Sequence, residues 1–115
     1  MSTKQNYPWA DKEEQYRAYG PGELQYARLD AWHAARSMRY TAAEGWYMDD
    51  VCTIAKEMRR RGIAPLAYVV TTTEGTERLA AFVERGHAAE WILDQTGPVR
   101  SLRIQPVGEW IRTVA

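Results

Sequence analysis

Few side chains in this sequence could carry catalysis: one cysteine, two histidines and a pair of adjacent aspartates. A thiol nucleophile needs a base within hydrogen-bond reach, so Cys52 would have to meet His33 or His87, and no spacing in the sequence brings them together. We interpret Cys52 as a small, half-buried side chain on the flank of a helix. We predict that the protein has no catalytic residue and is not an enzyme.

The adjacent aspartates Asp49 and Asp50 could share a metal ion only if both side chains reached it. Neighbouring residues on a helix point about 100° apart, whereas pairs that share an ion usually lie three or four residues apart. A hard cation also needs several more oxygen ligands than this pair supplies. Gly20 and Gly22 lack the spacing and the lysine of a phosphate-binding loop. We predict neither a metal site nor a cofactor.

Positive charge is balanced over the whole chain but clustered locally. Fifteen basic and fifteen acidic residues cancel, so binding to nucleic acid would require a local patch. The run Arg59, Arg60 and Arg61 could form such a patch with other arginines: Arg36, Arg39, Arg100, Arg103 and Arg112. The alternative interpretation is structural, and we favour it. The run complements the dipole at a helix C-terminus, and Arg61 pairs with Glu57 one turn earlier.

The aromatic side chains favour protein binding. The chain contains five Trp and seven Tyr but one Phe, so nearly every aromatic ring carries a polar group, as at protein interfaces. Nine of these thirteen lie in the first 47 residues, more than a small domain can easily bury. The alternative is that several cover the core with their polar tips in water. The predicted partner-binding residues are Trp9, Tyr16, Tyr19, Tyr26, Trp32, Arg59, Arg60 and Arg61.

The element that positions the arginine run is a helix from Thr41 to Gly62. Thr41 and Glu44 have the spacing of a capping box at its start. Gly62 can adopt the left-handed conformation that ends a helix, and Pro65 prevents the helix from resuming. Apolar residues in between repeat at helical spacing and predict one buried face: Tyr47, Val51, Ile54, Ala55 and Met58.

The residues before this helix predict an arm and a second helix. Residues 1–20 are polar and rich in Tyr, which indicates an N-terminal aromatic arm or a short helix from about residue 11 to residue 19. Residues 23–40 have helical spacing with a stripe made mostly of alanine, which allows a neighbouring helix to approach closely. The short gap before Thr41 predicts that the two helices form an antiparallel pair.

The residues after Pro65 predict a small sheet with one further helix. Residues 66–73 indicate a strand, residues 76–85 a helix that stops at Gly86, and residues 99–105 and 110–114 two more strands. Residues 87–95 fit either a continued helix or a strand, and we favour the strand. The predicted fold is α+β: a two-helix N-terminal hairpin packed on a mixed or antiparallel sheet of three to four strands with one further helix. We expect residues 21–115 to form a single globular domain.

No motif identifies a family, so the function is predicted from residue usage. We expect a small non-enzymatic protein that binds a larger protein or protein complex as an inhibitor, adaptor or accessory factor. Compact, Arg-rich domains without motifs are frequent among accessory proteins of phages and mobile elements, including inhibitors of bacterial defence, and we expect this type. The alternative is a nucleic-acid-binding regulator that uses the arginine surface. A homo-oligomer is possible, and the sequence predicts a soluble, cytoplasmic protein without a membrane partner.

Overall fold

The computed structural model describes residues 8–73, 77–95 and 102–113. Within these ranges the chain forms five helices and three strands, which confirms the predicted α+β class. In chain order the elements are α1 (Pro8–Arg17), α2 (Pro21–Ser37), α3 (Ala42–Arg61), β1 (Tyr68–Thr72), β2 (Arg78–Phe82), α4 (Arg85–Leu93), β3 (Leu102–Pro106) and α5 (Val107–Arg112). The chain divides into two compact units between Pro65 and Leu66.

The first unit contains the predicted helical hairpin, preceded by the short helix α1. Residues 38–41 connect α2 to α3, a length that places two helices side by side and antiparallel. Its core consists of buried side chains from all three helices, with small or half-buried side chains packed against them. The buried set is Tyr16, Leu24, Ile54 and Met58, and the packed set is Tyr19, Ala27, Ala31 and Ile63. Ala27 and Ala31 belong to the alanine stripe of α2, which therefore faces the core as predicted.

The two ends of α3 differ in how well local sequence predicts them. Gly62 has φ 68° and ends the helix, as predicted. Thr41 precedes the first helical residue, but the predicted capping box is wrong. The Thr41 hydroxyl donates a hydrogen bond to the Met38 carbonyl at 2.5 Å instead of accepting one from the first helical turn. A contact of the capping-box kind forms at α2, where the Gly20 N–H donates to the Glu23 carboxylate at 2.8 Å.

The second unit is built on a three-stranded antiparallel sheet with the order β2-β1-β3. The central strand, β1, pairs with β2 along one edge and with β3 along the other. Val69 of β1 lies opposite Ala81 of β2 and Gln105 of β3. Helix α4 contacts all three strands, and α5 contacts β1 and β3. The Trp91 ring of α4 lies 6.2 Å from the Phe82 ring of β2, which holds this helix against the edge strand.

Residues 78–82 form a strand, so the predicted helix over 76–85 is wrong. The spacing of Leu79 and Phe82 fits a helix, but backbone pairing with β1 decides the conformation. Residues 85–93 form a helix where we favoured a strand, and Gly86 lies in its first turn instead of following a helix.

Residues 107–112 form helix α5, so the predicted terminal strand over 110–114 is also wrong. Val107, Trp110 and Ile111 are buried on one face of this helix. The strand predicted over residues 99–105 is confirmed in its second half as β3. Several predictions fall on residues outside the described part of the chain: residues 1–7 of the predicted arm, and residues 76, 96–97, 99–101 and 114.

Candidate partner-binding surface

The connection between α2 and α3, together with the start of α3, exposes large side chains. We name this surface the hairpin tip and define it by Met38, Arg39, Tyr40 and Trp46. The exposed fractions are 44% for Met38, 87% for Tyr40 and 70% for Trp46. Met, Tyr, Trp and Arg are the residue types enriched at the centres of protein interfaces. The tip therefore has the composition of a protein-binding surface.

Tyr40 has an unfavourable backbone conformation. Its φ angle is 70°, and it is the one non-glycine residue with a positive φ in the described ranges. For a residue with a side chain, this left-handed conformation costs roughly 1–2 kcal/mol. Two hydrogen bonds to the Met38 carbonyl close the loop around Tyr40: the Thr41 N–H donates at 3.1 Å and the Thr41 hydroxyl at 2.5 Å. The loop is thus held in one shape that points a large ring into solvent.

Arg39 supports the ring of Tyr40. The central guanidinium carbon of Arg39 lies 4.9 Å from the centre of the Tyr40 ring, a distance typical of a cation–π contact. At an exposed site such a contact contributes on the order of 0.5–1 kcal/mol, less than the backbone strain at Tyr40. The contact with Arg39 therefore stabilises the protein too little to offset the strained backbone of Tyr40.

Two of the predicted partner-binding aromatics lie in or against the core of the first unit. Tyr16 is 6% exposed, and its ring meets the Tyr19 ring edge-on at 5.2 Å. Burial, reinforced by the negative charge of Asp50, raises the pKa of Tyr16 to about 12. The half-buried Tyr19 accepts a hydrogen bond from Gln15 at its hydroxyl, at 3.1 Å. Tyr16 is therefore not accessible to a partner, and both rings help to hold α1 in place.

The other three predicted aromatics have different surroundings. Tyr26 is exposed on α2. Trp32 is half-buried, and the guanidinium carbon of Arg28 lies 5.3 Å from its ring centre. Trp9 belongs to α1, but its side chain lies outside the described residues. The structure thus does not bring the predicted aromatics together into one exposed patch within the residues it describes.

Arg61 has a structural role at the end of α1. Its Nε donates to the Glu57 carboxylate at 2.6 Å, which confirms the predicted pair. Its terminal nitrogens donate to the backbone carbonyls of Tyr16, Arg17 and Tyr19 at 3.1, 2.9 and 2.7 Å. The last carbonyls of a helix have no partner within the helix, so Arg61 caps α1 and ties it to α3.

Arg60 also binds Glu57, whereas Arg59 has no comparable contact. Arg60 donates to both carboxylate oxygens of Glu57. Hydrogen bonds from Arg60, and then from Arg61, lower the pKa of Glu57 to about 2, so its carboxylate is ionised at neutral pH. Arg59 is exposed and makes no ion pair or hydrogen bond with any residue that the structure describes. Of the run, Arg59 is the residue whose charge is open to a partner.

Two grooves run beside α3 and meet at Arg59. The α1–α3 groove has a volume of about 360 Å³ and is lined mostly by charged side chains: Glu13, Arg17, Thr53, Lys56, Glu57, Arg59 and Arg60. The α2–α3 groove has a volume of about 260 Å³. Four apolar side chains and two arginines line it: Arg28, Ala55, Met58, Arg59, Ile63 and Pro65. Arg59 is therefore shared by the linings of both grooves.

The residues considered for catalysis and metal binding lie on α2, α3 and α4. The described residues contain no group of three His, Cys, Asp or Glu side chains placed to hold a metal ion. Cys52 is exposed, in contrast to the expected half-burial, because it shares a strip of α3 with the exposed residues Met48 and Lys56. His87 lies in the first turn of α4, with its Nε2 3.9 Å from the Glu84 carboxylate. None of the helices in the described ranges has the length and apolar character needed to cross a bilayer.

The predicted set of binding residues omits Met38, Tyr40 and Trp46. Two signals in the sequence point to Trp46 and Tyr40. Trp46 stands beside Tyr47 but off the apolar stripe of α3, and Tyr40 immediately precedes Thr41, where α3 is predicted to begin. The left-handed backbone of Tyr40 has no such signal, because glycine and asparagine are the residues that usually mark this conformation.

Comparison with known proteins identifies no relative of this chain. No protein-family model matches it, and searches of the curated proteins and of the solved structures give no match. Its function must therefore be argued from its own residues.

Proposed function

We propose that the protein is a non-enzymatic binding protein whose hairpin tip contacts a larger partner protein, as an inhibitor, adaptor or accessory factor. The observation that carries the proposal is Tyr40, which exposes its ring almost completely from a strained backbone. Strain of this kind clusters at ligand-binding and switch positions, where it forms part of the function. A role in contact with another molecule accounts for both the exposure and the strain.

The residues around Tyr40 support the same function. Aromatic side chains such as Tyr40 and Trp46 each bury roughly 150–250 Å² when they are covered. Two of them can therefore supply about 300–500 Å² of the roughly 800 Å² that each partner buries in a standard interface. The hydrogen bonds from Thr41 to Met38 fix the loop before a partner arrives, which reduces the entropy lost on binding.

Nucleic-acid binding has weaker support from the arginine run. Arg60 and Arg61 both bind Glu57, so much of their charge is already balanced within the protein. Binding to a phosphate backbone depends on cations that are free to replace counterions. A regulator that binds nucleic acid therefore remains the second candidate. The more specific prediction, an accessory protein of a phage or mobile element directed against bacterial defence, stays a prediction.

The proposal is tested by affinity capture from extracts of the source cells after nuclease treatment. The baits are the native protein, the double variant Tyr40→Ser with Trp46→Ser, and the control Leu93→Ser. Leu93 is 82% exposed at the end of α4 and lies outside the tip, so the control also removes an exposed apolar side chain. We expect the native and control proteins to capture the same partner and the double variant to lose it. Capture that the double variant retains, or that nuclease abolishes, would overturn the proposal.

A further inference from the structure

The α2–α3 groove is lined by four apolar side chains and two arginines. Met58 and Ala55 lie on α3, and Ile63 and Pro65 follow it; we name these four apolar residues the floor. The volume of about 260 Å³ is below the roughly 300–1,000 Å³ of sites for drug-sized molecules. The groove therefore has the size for an apolar side chain of a peptide and not for a large cofactor.

The two arginines that line the groove have no carboxylate partner among the described residues. Arg28 is half-buried and contacts the Trp32 ring. An aromatic ring compensates a cation for its lost hydration less than a carboxylate does. Burial lowers the pKa of Arg28, and no negative charge within the described ranges counteracts this effect. Arg59 faces the same groove, exposed and without an ion pair in the described ranges. A partly desolvated cation that lacks a counterion gains more from an incoming carboxylate than a solvated one does.

We propose that the α2–α3 groove binds an acidic segment of a partner protein, with an apolar side chain on the floor and adjacent carboxylates on Arg28 and Arg59. The planar guanidinium group favours this ligand, because it can bind both oxygens of a carboxylate at once. The groove shares no residue with the hairpin tip. This site therefore extends the binding function beyond the tip, and it stands even if the tip has no partner.

The α1–α3 groove is less suited to an acidic ligand, although it contains more cations. Lys56 lies 3.4 Å from the Glu13 carboxylate, Arg17 lies 4.0 Å from the same carboxylate, and Arg60 binds Glu57. An acidic segment would have to compete with these internal carboxylates. Arg17 is therefore a control position: it is an exposed arginine beside α3 that does not line the α2–α3 groove.

The test measures fluorescence anisotropy of three labelled peptides with the full-length protein. The first peptide alternates Glu with Leu, the second replaces every Glu by Gln, and the third replaces every Leu by Ser. We expect the first peptide to bind at least about tenfold more tightly than either of the others, because the groove requires both charge and apolar area. Equal affinity for the first and second peptides, equal affinity for the first and third, or no binding of the first peptide would overturn the proposal.

Two variants and one control assign the binding to this groove. Arg28→Gln and Arg59→Gln should each weaken the first peptide about tenfold, whereas Arg17→Gln should leave its affinity unchanged. Arg59 is exposed, so Arg59→Gln remains informative if Arg28→Gln disturbs folding through the lost contact with Trp32. Equal weakening by Arg59→Gln and Arg17→Gln would show a general charge effect and refute the site. A competition experiment compares a single-stranded oligonucleotide with unlabelled peptide of equal length. If the oligonucleotide displaces the labelled peptide at the lower concentration, the groove would be assigned to nucleic acid instead.

Discussion

The left-handed backbone of Tyr40 leads to a prediction in which stability and binding change independently. Two substitutions separate the ring from the backbone. Tyr40→Ala removes the ring but keeps a Cβ atom in the left-handed conformation, whereas Tyr40→Gly removes both the ring and the strain. Because the ring is 87% exposed, neither variant opens a cavity.

The magnitudes follow from the geometry of the loop. Both variants lose the contact with Arg39, which contributes about 0.5–1 kcal/mol at an exposed site. Relative to alanine, glycine relieves roughly 1–2 kcal/mol of strain but loses about 0.5–1 kcal/mol through the greater freedom of its unfolded chain. We therefore expect the free energy of unfolding of Tyr40→Gly to exceed that of Tyr40→Ala by about 0.5–1 kcal/mol, and to equal that of the native protein to within about 0.5 kcal/mol.

Urea denaturation followed by far-UV circular dichroism measures the three stabilities, and affinity capture measures partner binding. Both variants should lose the partner, including the glycine variant that folds as well as the native protein. A glycine variant less stable than the alanine variant would refute the strain at residue 40. A glycine variant that still captured the partner would refute the role of the ring.

Three further predictions concern α3. Arg61→Ala should lower the free energy of unfolding by about 2–4 kcal/mol, because it removes charge-assisted hydrogen bonds to Glu57 and to three carbonyls of the α1 end. The Glu57 pKa falls from an ordinary 4.5 to about 2 on folding. The ionised carboxylate therefore contributes fully to stability above pH 4.5, and this contribution is lost as the pH falls towards 2. Glu57→Gln should flatten the dependence of stability on pH in this interval. Gly45→Ala should raise the melting temperature, because the site is helical and has space for a Cβ atom, whereas Gly62→Ala should lower it because its φ is 68°.

Each of these predictions has an internal control. Arg60→Ala, which removes contacts to Glu57 but none to α1, should have a much smaller effect than Arg61→Ala, and equal losses in urea denaturation would contradict the capping of α1. A stability–pH curve for Glu57→Gln with the native slope between about pH 2 and pH 4.5 would show that other carboxylates dominate acid unfolding. The two glycine variants control one another. If both raised or both lowered the melting temperature, the backbone conformation of the two glycines would not explain the change.

The first unit follows from the sequence because its signals are local. Gly62 ends α3 through its own backbone freedom, and Arg61 meets Glu57 because residues four apart lie on one face of a helix. The predicted capping box failed because the Thr41 hydroxyl turns back to the loop that Tyr40 forms. The shape of that loop depends on how α2 and α3 pack, which local spacing does not encode.

The second unit was harder to predict because short segments carry ambiguous periods. Val107, Trp110 and Ile111 have the spacing of a helix face, but Pro106 and Gly108 suggested a turn before a strand. Pro106 in fact ends β3 and precedes the first residue of α5. For residues 78–82 the sequence spacing indicates a helix, and only the neighbouring strand β1 makes them a strand.

The candidate surfaces divide in the same way between local and tertiary information. The composition of the first 47 residues directs attention to aromatic side chains, but it does not distinguish the buried Tyr16 from the exposed Trp46. That distinction depends on which helix covers which face. The sequence alone does not distinguish the three arginines of the run, Arg59, Arg60 and Arg61. The structure does, because Glu57 lies three and four residues before the last two and binds both of them.

The exposure of Cys52 makes it a natural attachment point for a spectroscopic reporter. It is the sole cysteine of the chain, so a thiol-reactive dye or spin label would modify one position without further mutagenesis. On α3 it lies six residues after Trp46 and seven before Arg59, about 9 and 10.5 Å along the helix axis at 1.5 Å per residue. One label midway between the hairpin tip and the α2–α3 groove can therefore report occupancy at both ends of the same helix.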